Sequence, residues 1–223
     1  MVHILPAVQW PDDNPPDGVL PVKQQRGGLT RDRLLKAGRR LIAKRDFDSV
    51  TVADIAAAAD CSVGVFYQRF RDKEAFFGAL VAQYVVDARA TTHALFQQYD
   101  NDRLLNALVR ATAARFRDNA GLIRAAIRKR MEDAAVWEPI RLHGYFVADN
   151  LIAWLAERRG QKLTPDEIIA TRFAFQVLYG TLNNAIINRP GPLDLADEEF
   201  VVQLERAFRL ALLYSGLLWG IDV

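Results

Sequence analysis

The stretch TVADIAAAADCSVGVFYQRFRDKEAFF, residues 51–77, sets a run of alanines, a polar break at Asp60-Cys61-Ser62 and a short aromatic segment side by side. Thr51-Val52-Ala53-Asp54 has the form of a capping box: the Thr51 hydroxyl accepts from the Asp54 amide while the Asp54 carboxylate reaches back to the cap amide. The spacing predicts a helix that starts there, runs through the alanines and stops at Asp60, with Ser62 capping a second helix over Val63 to Phe70. Two short helices joined by so brief a break form a helix-turn-helix, and the small alanines at 56 to 59 permit close packing. In the second helix Phe66 and Phe70, four apart, share the buried face. Val63, Gly64, Tyr67 and Gln68 fall on another face, which is left to meet DNA. Asp72 then caps a long helix from Lys73 to about Phe96 that carries Phe76, Phe77, Leu80 and Tyr84 inward.

Upstream, Pro6, Pro11, Pro15, Pro16, Pro21 and the Gly27-Gly28 pair argue against any regular element, so residues 1–28 are expected to be a mobile arm. Lys23 and Arg26 would then be available to follow the phosphates or enter a minor groove of bound DNA, and residues 1–22 would be dispensable for folding. From Thr30, a plausible cap, Leu34, Leu35, Gly38, Leu41 and Ile42 recur at helical spacing with Arg and Lys between them. Downstream, helices are predicted over 102–118, 121–134, 137–159, 165–188 and 196–219. Thr164-Pro165-Asp166-Glu167 is a clear start signal, with a cap, a proline at the first helical position and acids that complement the helix dipole. The fold class is all-α: an N-terminal three-helix helix-turn-helix DNA-binding domain at 29–75, then a larger helical ligand-binding and dimerisation domain at 76–223.

Composition narrows the function. The net charge of +2 over 223 residues divides unevenly, into −3 for residues 1–22, +5 for 23–80 and zero for 81–223. Positive charge concentrated around the helix-turn-helix suits a polyanion, although a solvated helix face accounts for it about as well. Cys61 stands alone and excludes an internal disulfide or a cysteine zinc site. His3, His93 and His143 are scattered without metal spacing, and no nucleophile elbow, Walker loop or dinucleotide fingerprint occurs. No metal, cofactor, catalytic residue or enzymatic activity is expected. Without an apolar run of membrane-spanning length, the chain reads as soluble, free of the membrane and cytoplasmic.

T-V-x-D-I-A-x-x-A, S-x-G-x-F-Y-x-x-F and D-K-E-A, in that order and spacing after an amphipathic helix, resemble the TetR family of bacterial transcriptional regulators over about residues 30–80. The resemblance implies a double-stranded DNA operator as partner, a homodimer, phosphate contacts from Thr51, Tyr67 and Lys73, and Ser62, Val63, Gly64, Val65 and Gln68 at or near base edges. Asp60 and Cys61 depart from the family's glycine and aliphatic residue at the turn; Asp tolerates the left-handed conformation that the turn needs. Cys61 is either a small buried residue or a redox sensor, and Arg69 is either a phosphate ligand or solvated.

The neutral remainder is left to sense and to dimerise. Phe116, Ile127, Met131, Tyr145, Phe146 and Trp154 either line a cavity for a small-molecule effector or form solid core, and Arg124 and Arg128, one turn apart, suit an anionic effector or a solvated face. Phe173, Val177, Gly180 and Ala185 on one long helix and Val201, Leu204, Phe208 and Leu212 on the next are expected at a two-fold interface. The expected function is a dimeric repressor released from its operator by a small molecule; a regulator with a protein partner or no effector is the alternative, and an all-α enzyme with an appended DNA-binding motif is a third reading.

Overall fold

The computed structural model describes residues 17–20, 25–101 and 103–214. Its helices are α1 (Gln25–Ile42), α2 (Val52–Ala58), α3 (Val63–Tyr67), α4 (Lys73–Gln98), α5 (Arg103–Asp118), α6 (Ala120–Lys129), α7 (Glu138–Arg159), α8 (Pro165–Ile187) and α9 (Glu198–Tyr214). Single 3-10 turns lie at Phe47–Ser49 and Ala134–Val136. Among the described residues the only β pairing is an isolated antiparallel bridge between Val19 and Phe70.

The start signals act as the sequence predicts. Thr51 and Asp54 close a capping box on α2, at 3.0 Å and 2.9 Å. Thr164 and Glu167 close another on α8, with Pro165 in its first turn. The Ser62 side chain accepts from the Val65 amide and Asp72 from the Ala75 amide, fixing the starts of α3 and α4. α1 is the exception, since it begins at Gln25 rather than Thr30 and runs through both glycines. Each glycine costs a helix about 1 kcal/mol, which the packed turns that follow outweigh.

The chain divides into two compact units. The described residues of 17–87 and 119–140 form the first; those of 88–118 and 141–214 form the second, with α4 contributing to both. In the first unit Leu34, Leu35, Ala37 and Ile42 of α1, Ile55 and Ala56 of α2, and Phe66, Phe70, Phe76, Phe77 and Leu80 are all buried. The unit reaches past the boundary expected near residue 75, because α6 packs on α1. That approach is backbone to backbone, for a Cβ on Gly121 would stand 1.9 Å from the Ile42 carbonyl oxygen. Arg128 pairs with Asp46 at 3.1 Å, and Lys129 with Glu74 at 2.7 Å.

Of the stretch expected to be a mobile, dispensable arm, residues 17–20 and 25–28 are described, and they are paired or helical rather than free. Leu20 donates its amide to the Arg69 carbonyl at 2.8 Å, Arg71 donates to the Gly18 carbonyl at 2.9 Å, and Val19 is 6% exposed. Residues 17–20 are thus a strap across the end of the α3 segment, held by two backbone bonds and one buried side chain. Gly18 has φ +77°, a conformation open to glycine and costly to other residues. Lys23 and the side chain of Arg26 lie outside the described residues.

In the second unit α5, α8 and α9 pack on one another. Phe175 of α8 meets Phe208 of α9 edge to face at 5.0 Å, and Arg110 of α5 reaches Glu198 and Glu205 of α9. This packing revises part of the expected dimer surface. Val201, Leu204, Phe208 and Leu212, with Ala185, are buried within the chain's own core and leave little surface for a second copy. A helical period identifies an apolar face without saying what covers it, and here α5 and α8 cover the face of α9. Phe173 and Val177 are exposed, and nothing lies within 4 Å of a Cβ on Gly180.

Candidate nucleic-acid interface

α3 is too short to stand alone and is held by aromatic packing. Phe66 lies 5.3 Å from Phe70 and 5.4 Å from Phe76, and Phe70 meets Phe76 edge to face at 5.0 Å, ring centroid to ring centroid. With that face anchored, the opposite one is presented outward. Ser62, Val63, Gly64, Tyr67 and Gln68 are exposed, Tyr67 by 50%, while Val65 is half-buried. A Cβ on Gly64 would meet only the Ser62 hydroxyl oxygen, at 3.7 Å, so another molecule can come close to the backbone there. Asp60 has φ +53°, the left-handed turn anticipated for it, and Cys61 beside it is half-buried.

Thr51 is exposed at the start of α2. Hydrogen bonds from the Thr51 amide and hydroxyl, then the charge of Arg45, hold the Asp54 carboxyl below its ordinary pKa. Lys73 is more constrained than a free surface lysine. Its ammonium lies 4.5 Å from the Phe47 ring centroid and donates to the Asp48 carbonyl at 3.1 Å. Burial lowers its pKa from the ordinary lysine value, against the opposite pull of Asp48 and Glu74. Arg69 is half-buried and donates to the Gln68 carbonyl at 3.1 Å.

One set of cations was not singled out from the sequence. Arg33, Lys36 and Arg40 are exposed on α1, and steps of three and four residues place them on one side of the helix. Arg40 and Arg33 make long contacts, 3.4 Å and 3.5 Å, to the Ala58 and Asp60 carbonyls at the end of α2, where the helix dipole is negative. The spacing was the available signal, hidden because the neighbouring leucines carried the helix assignment.

Residues 34–80 match the profile of bacterial regulatory proteins of the tetR family. Over this stretch the chain is similar to the TetR-family N-terminal domain. The HTH-type transcriptional repressor DhaR of Mycobacterium sp. (strain GP1) is 34% identical to the chain over 61 residues, which is 27% of the chain and 31% of DhaR. The chain thus matches less than a third of that relative's length. A TetR-family transcriptional regulator from Mesorhizobium loti superposes with a TM-score of 0.67 at 19% identity, over 86% of the chain and 98% of its own. Another, from Streptomyces coelicolor, gives 0.68 at 16% identity, over 85% and 82%. At such identities the likeness is one of fold alone, and it extends beyond residues 34–80.

The residues expected around an effector divide between the units. Arg124, Ile127, Arg128 and Met131 belong to the first, where Arg128 is exposed beside Asp46 and Met131 is 79% exposed. Phe116, Phe146 and Trp154 are buried in the second, and Tyr145, also in the second, is half exposed and accepts from Arg141. Met131 stands at the surface, since an apolar residue near a helix end need not face inward, and Arg128 takes the solvated face that was one of its two expected places. Among the described residues no three His, Cys, Asp or Glu side chains gather as metal ligands. No described helix is long and apolar enough to cross a membrane.

Proposed function

We propose that the protein is a transcriptional regulator that binds operator DNA as a two-fold dimer and leaves it when a small molecule binds the second unit. The observation that carries the DNA reading is the outward face of α3, where Ser62, Val63, Gly64, Tyr67 and Gln68 stand exposed on a segment whose other face is locked by three phenylalanines. In this reading α3 enters the major groove, Ser62 to Gln68 meet base edges, and Thr51, Tyr67, Lys73 and the α1 cations follow phosphates. DhaR is a repressor by name, and repression is the sign adopted here.

Two copies are needed because a helix as short as α3 spans only a few base pairs. Exposed Ile169, Phe173 and Val177 with Gly180 recur along one side of α8 and support a copy-to-copy surface there. Release follows if the effector binds more tightly to a conformation whose two recognition helices no longer match the operator spacing. Footprinting the protein on the intergenic DNA around its own gene tests the reading. Protection of an inverted repeat is expected; equal binding to random duplex at every salt concentration would sink it.

A further inference from the structure

Within the second unit, α4 and α7 bring together two basic side chains, Arg89 and His143, whose buried nitrogens the chain itself leaves unsatisfied. His143 of α7 is 2% exposed, and neither ring nitrogen has a hydrogen-bond partner. Its ring stacks on Phe146 at 6.1 Å, and the Arg89 guanidinium of α4 lies 5.0 Å from the centroid of the same ring. Arg115 of α5 is near enough to act on His143 as well. Burial, then Arg115, then Arg89 push the His143 pKa down to about 3, so the imidazole is neutral and carries one N–H donor and one lone pair. Burial alone lowers the pKa of Arg89, with no carboxylate opposing it among the described residues. One turn beyond Phe146, the buried Asn150 donates to the Phe146 carbonyl at 2.7 Å, while its own Oδ1 has no partner.

A guanidinium withdrawn from water and a buried imidazole without partners each cost free energy unless something pairs with them. Cation-π contact with Phe146 offsets part of the cost for Arg89 and leaves its N–H fork unused as a carboxylate clamp. We propose that Arg89, with His143, binds the carboxylate of a small-molecule effector whose apolar, flat body lies against Phe146. Arg89 would take the carboxylate through its fork, and His143 would donate to the second oxygen. A second aromatic pair of the same unit, Phe116 and Tyr179, stacks at 6.0 Å, and aromatic neighbours suit a ring better than a sugar or a peptide. This inference rests on the effector-release reading above and names the chemistry of its ligand.

The test uses the full chain with benzoate and octanoate as probes, each against its neutral amide. Calorimetry should give millimolar or tighter binding for at least benzoate, with the amides weaker by about tenfold or more, as expected for a hydrogen-bonded charge. Arg89→Gln should erase the preference for acid over amide, Arg89→Lys should restore part of it, and both should bind operator as the parent does without ligand. In the parent protein, the ring signals of His143 should shift on adding benzoate while those of His3 and His93 stay, a readout independent of how any variant folds. Absence of acid binding at millimolar concentration, equal binding of acid and amide, or an unmoved His143 signal would overturn the site. Acid binding that leaves the operator complex intact would uphold the site and refute release; release by a neutral compound, with no acid binding, would do the reverse.

Discussion

At the scale of single residues, Gly64 and Lys73 separate folding from recognition in opposite ways. Because a Cβ at Gly64 meets only the Ser62 hydroxyl, Gly64→Ala should leave the fold intact and raise stability by up to about 1 kcal/mol through helix propensity. If the backbone at Gly64 lies against the DNA, the same methyl group should weaken operator binding. Thermal melting and operator titration of one variant check both halves, and unchanged affinity would move the contact away from this residue. Lys73 joins the two roles, since its ammonium fastens the 47–49 turn through Phe47 and Asp48. Lys73→Ala should therefore cost about 0.5–1 kcal/mol of stability from the lost cation-π contact. It should also weaken specific and random duplexes alike and lower the salt slope by about 0.9, the share of one phosphate. Loss confined to the specific sequence would make Lys73 a base-reading residue instead.

At the scale of elements, the strap at 17–20 and the seat of α6 carry the stability predictions. Val19→Ala removes most of a buried side chain and should cost about 1–2 kcal/mol. Gly18→Ala should be worse, because the residue has positive φ and its Cβ would stand 2.7 Å from that of Ala75. Denaturant midpoints decide, and an unmoved midpoint for Val19→Ala would mean that the strap is not packed in solution. Gly121→Ala drives a methyl group into the Ile42 carbonyl and should lower the midpoint further than either. What was legible in the sequence at this scale was local. Each cap at Thr51, Ser62, Asp72 and Thr164 is a side chain answering an amide three residues on, so spacing alone revealed it. The strap was not legible, because four residues have no period and their partners, Arg69 to Arg71, lie some fifty positions away. The exposed face of α3 was legible because its phenylalanines marked the opposite face. The Arg89–His143 cluster was not, since its members sit on separate helices and nothing in their spacing joins them.

At the scale of the whole molecule, specificity in the proposed dimer depends on how two recognition helices are held, and the exposed side of α8 is where the assembly reading can fail cleanly. Phe208 is a poor probe, because it is buried against Phe175 and a charge there would unfold the second unit before it tested any interface. Gly180 is a better one, since nothing lies within 4 Å of its Cβ and a glutamate can extend without touching the chain's own core. If the Ile169–Gly180 side of α8 meets its symmetry mate, the two-fold axis brings two such glutamates together in a desolvated contact, where like charges repel strongly. Gly180→Glu should then sediment as a monomer with unchanged helical circular dichroism. Specific operator affinity should collapse, because one α3 reads a single half-site and the paired site needs two about 34 Å apart or at a related spacing. Weak, salt-sensitive binding to any duplex should survive, as the α1 cations and Lys73 remain in place. A variant that stays dimeric puts the interface on another surface, and a demonstrated monomer that still binds the operator tightly refutes the need for two half-sites.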